Sequence, residues 1–186
     1  KIILIINVIV FILLEVSGQK NIMFHSFGLV PISVYREYKI WQICTYLFLH
    51  GGLLHIFFNM FVLWMFGNNL EFEWGTKRFL FFYFLCGIGA GLITVFAGFN
   101  SHVPIVGASG AIYGVLVAYG FLFPNRFVYL YGLLPIKVKY IVTLLGIIAF
   151  TSSISAVPSS ISHITHLSGM IIALIYIFYN KWSLLS

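Results

Sequence analysis

Apolar residues fall in blocks of roughly 15 to 20, the length a helix needs to cross a bilayer. The blocks run at residues 2–16, 53–70, 79–97, 108–123, 136–152 and 162–180, and proline and most charged side chains collect between them. Each block is apolar around most of its circumference, as lipid contact demands of a helix. The pattern predicts six helices in an all-α, polytopic membrane bundle, read as one domain over 1–186. The first block is the weakest, because it is short, contains Asn7 and follows Lys1 with no methionine. It resembles a signal-peptide core, but no small-x-small cleavage site follows. It therefore reads as a span whose start can lie upstream of Lys1.

Composition supports the membrane reading. With 61% hydrophobic and 8% charged residues, the chain cannot cover a soluble surface with polar groups. The net charge of +6 would suggest nucleic acid in a soluble domain. Here the basic residues sit beside spans, where they set orientation, so no nucleic-acid partner is expected. With the N-terminus inside, Lys1, Lys77, Arg78, Arg126, Lys137, Lys139 and Lys181 lie in the cytoplasm, against Lys20, Arg36 and Lys39 outside. That asymmetry predicts an integral, multi-pass protein with both termini cytoplasmic. Segment 17–50, with Tyr35, Tyr38, Trp41 and Tyr46, suits the headgroup layer.

The chemistry-bearing residues are few. There is no aspartate, and the acids are Glu15, Glu37, Glu71 and Glu73, so a Ser-His-Asp triad is excluded by inventory. Cys44 and Cys86 show no metal spacing and read as packing residues; no metal or cofactor is expected. In the predicted topology the second, fourth and sixth helices all start at the outer leaflet, and the unusual polar residues gather there. His55 and Asn59 share a face of the second helix, Ser109 opens the fourth, and His163 and His166 open the sixth. An imidazole within a span is costly, which makes it a functional candidate. Small residues at four-residue spacing, Gly110, Gly114 and Ala118 on one helix and Gly169 and Ala173 on the other, allow close approach. His166 shares the second stripe and so faces the serine helix. Ser109 then reads as nucleophile and His166 as its base, in a site opening to the extracytoplasmic side. His55, Asn59 and the backbone N–H groups at the start of the fourth helix, at Ala108 and Ser109, are candidate oxyanion donors. The alternative, less favoured, is that His55 and Asn59 serve as interhelical glue.

Three motifs carry a resemblance. His50, His55 and Asn59 form His-x-x-x-x-His-x-x-x-Asn, Gly107-Ala-Ser-Gly110 forms Gly-x-Ser-Gly, and His166 with Gly169 forms His-x-x-Gly. In this order the chain resembles the rhomboid intramembrane serine proteases over its whole length. The resemblance implies a six-helix rhomboid-like bundle and a Ser109-His166 dyad. It also implies an oxyanion site built from His55, Asn59 and backbone N–H, and a Tyr113 ring packed on His166. Substrates of similar proteins are single-span membrane proteins cut near the outer face. A lateral gate between the second and fifth helices, with a mobile loop near 152–161, is likewise implied. The partners expected are therefore transmembrane substrates and the lipid bilayer.

The chain departs from the family pattern at three places. Trp41-Gln42 stands where the family has Trp-Arg, removing a charge that helps fix the first loop. Thr165 replaces the usual alanine before the histidine and Ala173 a usual glycine, which predicts a modest loosening of the helix contact. Other polar residues read as structural: His50 faces away from His55 by helical spacing, His163 is a loop-edge histidine, and His25 and His102 are solvated. Two rival functions are a catalytically silent helix-binding relative, and a haem, metal or ion-conducting protein using the histidines. The first is disfavoured by the presence of both Ser109 and His166, the second by the missing ligand spacings.

Overall fold

The computed structural model describes residues 1–130, 133–154 and 160–180. Helix α1 (Ile2–Ser17) leads into a first loop built from α2 (Lys20–Phe27), α3 (Pro31–Arg36), α4 (Gln42–Thr45) and a 3₁₀ turn at Tyr46–Phe48. Next, α5 (Leu53–Val62) runs through a π-helical stretch, Leu63–Gly67, into α6 (Asn68–Trp74). The long α7 (Thr76–Ala97), α8 (Ser109–Leu122), α9 (Val138–Ser153) and α10 (Ser160–Tyr179) complete the helices.

The apolar blocks of the sequence recur as these helices, although their lengths differ. The continuous rods Leu53–Trp74 and Thr76–Ala97 are each 22 residues, long and apolar enough to cross a membrane. Ile2–Ser17, Ser109–Leu122, Val138–Ser153 and His163–Tyr179 are apolar but shorter.

A β-hairpin lies between α8 and α9. Strand β1 (Phe127–Leu130) pairs antiparallel with β2 (Leu134–Lys137), setting Val128 opposite Ile136. The sequence predicted a helix from 136, whereas the helix starts at Val138. Pro135 disfavours helix in the residue before it, and the flanking aromatic and β-branched residues suit an extended strand. A short apolar run does not by itself separate the two.

The first loop is fixed by neutral hydrogen bonds, contrary to the loosening expected from the missing arginine. Gln42 is fully buried. Its Oε1 accepts from the Val30 N–H at 3.0 Å, and its Nε2 donates to the His25 carbonyl at 2.9 Å. Trp41 Nε1 donates to the Ser26 carbonyl and the Thr45 hydroxyl to that of Phe27. An amide satisfied at both ends avoids the desolvation cost a buried guanidinium would carry without a counter-charge. On the exposed side of the loop, the Lys39 ammonium and the Ser33 hydroxyl hold the Glu37 carboxyl below the usual carboxylate range.

At the centre stands α8, against which α7, α9, α10 and the π-helical stretch all pack. Its core-facing residues include Ala111, Val115 and Ala118, all fully buried. Gly110 and Gly114 toward α7 and α10, and Gly120 toward α9, let these neighbours approach one short helix. The closest approach is between α8 and α10, where a Cβ at Gly169 would overlap the Gly110 carbonyl oxygen. Only glycine fits there.

Candidate active site

Ser109 is the first residue of α8, and the strand of chain leading to it is tied down by backbone pairing. Leu29 and Ile105 exchange N–H···O bonds of 2.8 and 2.9 Å, and the Gly107 N–H donates to the Tyr46 carbonyl at 2.9 Å. Gly107 has φ +122°, a conformation open essentially to glycine. A Cβ there would also come within 2.8 Å of His55 Nε2 and 3.5 Å of Asn59 Nδ2. Both side chains of α5 therefore lie against the turn that delivers Ser109. Ala108, the capping residue of α8, is fully buried and accepts the Ile112 N–H at 3.0 Å.

The central contact joins α8 to α10. His166 Nε2 lies 2.7 Å from Ser109 Oγ. Tyr113, one turn beyond Ser109, stacks on the imidazole with centroids 4.4 Å apart and planes 5° from parallel. His166 Nδ1 is buried with no hydrogen-bond partner among the described residues. The pair thus stands without a carboxylate behind it, in line with the missing aspartate.

The donors on α5 are arranged differently from one another. His55 Nδ1 accepts the Gly51 N–H at 3.3 Å. In the neutral ring this puts the proton on Nε2, the nitrogen facing Gly107. Asn59 is nearly buried and its Nδ2 has no acceptor among the described residues. A buried amide donor left unpaired costs free energy unless something completes it.

Two expectations about the remaining histidines change. His50 precedes α5, so helical spacing does not apply; it is fully buried and meets the His55 ring edge-on at 5.1 Å. His163 lies within α10 rather than at a loop edge, half-buried, with its ring edge-on to His166 at 5.9 Å. His102 is exposed as expected, and His25 is exposed but sits in the last turn of α2. Cys44 and Cys86 are both free thiols, Cys86 being buried against Gly114.

Thr165 does not loosen the contact as expected. It is buried, with its hydroxyl 2.9 Å from that of Thr94 on α7, and Ala173 is fully buried. The Thr94–Thr165 pair was missed by the sequence reading, its only signal being two hydroxyls within spans and no partner nameable from spacing. Tyr46, expected in the headgroup layer, is instead fully buried, and its hydroxyl donates to the Gly87 carbonyl at 2.7 Å. The loop near 152–161 includes residues 155–159, which lie outside the described residues, as does Lys181.

Residues 37–182 match the family model described as the rhomboid domain. The chain belongs to the rhomboid family. It is 30% identical over 154 residues to RHOMBOID-like protein 1 of Arabidopsis thaliana, covering 82% of this chain and 38% of that protein. Rhomboid protease GluP of Bacillus subtilis is 36% identical over 115 residues, 61% of this chain and 22% of that protein. Rhomboid protease GlpG of Yersinia pestis is 27% identical over 188 residues, 96% of this chain and 61% of that protein. The chain spans less than two thirds of the length of these relatives. The matched region takes in Ser109, His166, His55, Asn59, Gly107 and Tyr113, while α1, α2, α3 and Leu29 precede it.

Proposed function

We propose that this rhomboid domain is an intramembrane serine endopeptidase, using a Ser109-His166 dyad to cleave transmembrane segments of membrane-protein substrates near the extracytoplasmic face. The observation that carries the reading is the 2.7 Å contact between Ser109 Oγ and His166 Nε2. At that distance the unprotonated Nε2 accepts the serine proton as Oγ attacks an amide carbonyl, and returns it to the leaving amine. Water then attacks the acyl-enzyme ester by the same route in reverse order, releasing the acid and restoring Ser109.

Tetrahedral intermediates place negative charge on the former carbonyl oxygen. His55 Nε2–H and Asn59 Nδ2 lie against the Gly107 turn, and the Ser109 N–H opens α8, so three donors border the place where that charge forms. Asn59 is held ready, since an arriving oxyanion supplies the acceptor its amide lacks. Stacking on Tyr113 limits rotation of the imidazole, so that Nε2 stays on the serine.

The same reading takes residues 1–186 as one unit of six spans, with both termini cytoplasmic and the site at the outer leaflet. The rhomboid-protease names of two relatives support the protease reading, and the distribution of Lys and Arg along the sequence supports the orientation. Labelling by a serine-directed fluorophosphonate and cleavage of a model transmembrane substrate test the chemistry. Ser109→Ala and His166→Ala are each expected to abolish both. Cleavage at the parental rate by Ser109→Ala rejects the nucleophile.

A further inference from the structure

Thr165 immediately precedes the histidine of the proposed dyad, and its side chain leaves α10 on the face turned to α7. Its hydroxyl lies 2.9 Å from that of Thr94, with both residues buried. Thr94 also donates to the Ala90 carbonyl one turn back at 2.7 Å. The methyl group of Thr165 reaches the nucleophile's helix as well. A Cβ at Gly110, the residue after Ser109, would come within 3.1 Å of Thr165 Cγ2, 3.2 Å of Ala90 Cβ and 3.2 Å of the Tyr46 hydroxyl. One side chain thus touches the frame helix α7 through oxygen and the serine helix α8 through carbon.

We propose that Thr165 is a positioning residue, whose hydroxyl, tied to Thr94, fixes the rotation of α10 against α7 and so the reach of His166 to Ser109. The inference rests on the dyad reading above. Consecutive helical side chains point about 100° apart, so a grip on Thr165 restrains the helix about the axis along which His166 swings. An imidazole standing roughly 6 Å from that axis moves about 1 Å when the helix turns by about 10°. Directed away from Ser109, such a displacement stretches the 2.7 Å contact to about 3.7 Å, beyond hydrogen-bond range, and directed across it, it tilts the bond off line. Gly110 and Gly169 cannot supply this restraint alone, because two touching glycine backbones resist approach but offer no directional bond.

The experiment uses the reconstituted protein with Thr165→Val, which keeps the shape and removes the hydroxyl, and Thr165→Ser, which keeps the hydroxyl. Thr94→Val and the double variant close the cycle. Thr94 keeps its bond to Ala90 when Thr165 loses its hydroxyl, so no donor is orphaned on α7. Thr165→Val is expected to lower kcat and the rate of fluorophosphonate labelling together by about 10-fold, with KM unchanged within about twofold. Thr165→Ser is expected to recover the parental rate within about threefold, and the double variant to be no slower than either single one. A parental kcat in Thr165→Val, failure of Thr165→Ser to rescue, or fully additive losses overturns the proposal. If Thr165→Val does not fold, Thr94→Val reads the same tie from α7, and a parental kcat there overturns it equally. Ser109→Ala that still cleaves defeats the dyad itself, whereas an inactive Ser109→Ala beside a fully active Thr165→Val defeats only the positioning role.

Discussion

Helices α8 and α9 are neighbours of similar length and apolarity, yet they are held in opposite ways. Along α8 the residues from Gly114 to Tyr119 are all buried, whereas α9 buries only Val138 and Ala149. Where α8 meets α10, backbone meets backbone at Gly110 and Gly169. Where α9 meets the same bundle, side-chain ends do the touching: Val142 faces Gly120, and the Met170 terminus faces Gly146. In lipid, apolar exposure carries no penalty, so helix association rests on packing and interhelical hydrogen bonds. The helix that carries Ser109 is therefore over-determined in position, and the one beside it is attached by contacts that can rearrange.

The sharpest way to break this contrast is to place one methyl group at each seam. At Gly169 the added Cβ overlaps a carbonyl oxygen of α8, which cannot yield without moving the helix. Gly169→Ala is expected to destabilise the protein by about 3 kcal/mol or more and to abolish labelling of Ser109. At Gly146 the same change meets the thioether end of Met170 at 3.2 Å, a group with free rotamers to adopt. Gly146→Ala is expected to cost less than about 1 kcal/mol. Thermal unfolding of both variants in bicelles measures the difference. Equal shifts would show that the two seams do not differ in kind.

A smaller effect is expected inside the rigid seam, at the ring that backs the imidazole. Tyr113→Ala removes the stacked surface and leaves His166 free to turn, so cleavage is expected to fall by about 10- to 100-fold. Tyr113→Phe retains the ring and is expected to stay within about threefold of the parent. Substrate kinetics on the two variants check this. A loss in Tyr113→Phe as large as in Tyr113→Ala would move the role from the ring face to the phenolic hydroxyl.

Much of the rigid region was legible in the sequence. Ser109, His166 and Gly169 stand out because a hydroxyl, an imidazole and a glycine are conspicuous among apolar neighbours, and helical spacing places them on facing stripes. Local spacing could not reveal what depends on distant pairing. Thr94 and Thr165 are 71 residues apart, and neither predicts the other. Gln42 read as a lost charge because its donor, the Val30 N–H, and its acceptor, the His25 carbonyl, lie on the segment before α3, which only the folded loop brings back. The hairpin at 127–137 was hidden in apolar residues that serve a strand as well as a helix. The difference between α8 and α9 was hidden too, since both are simply apolar blocks, and in a membrane hydrophobicity does not say which faces protein.

That last point gives the smallest predicted effect and a direct check on the loose side of the comparison. Leu144 sits mid-way along α9 with more than half its surface exposed, alongside Tyr140, Ile147 and Ile148. If that face meets lipid, Leu144→Ala exchanges one apolar surface for another, leaves no cavity, and is expected to change stability by less than about 0.5 kcal/mol. A leucine packed in protein loses about 2 to 5 kcal/mol on the same truncation, because its neighbours cannot follow the shrinking side chain. Unfolding of Leu144→Ala in a lipid bilayer separates the two. A loss in the larger range would mean that the outer face of α9 is covered by protein, and that its thin attachment within this chain is completed from outside it.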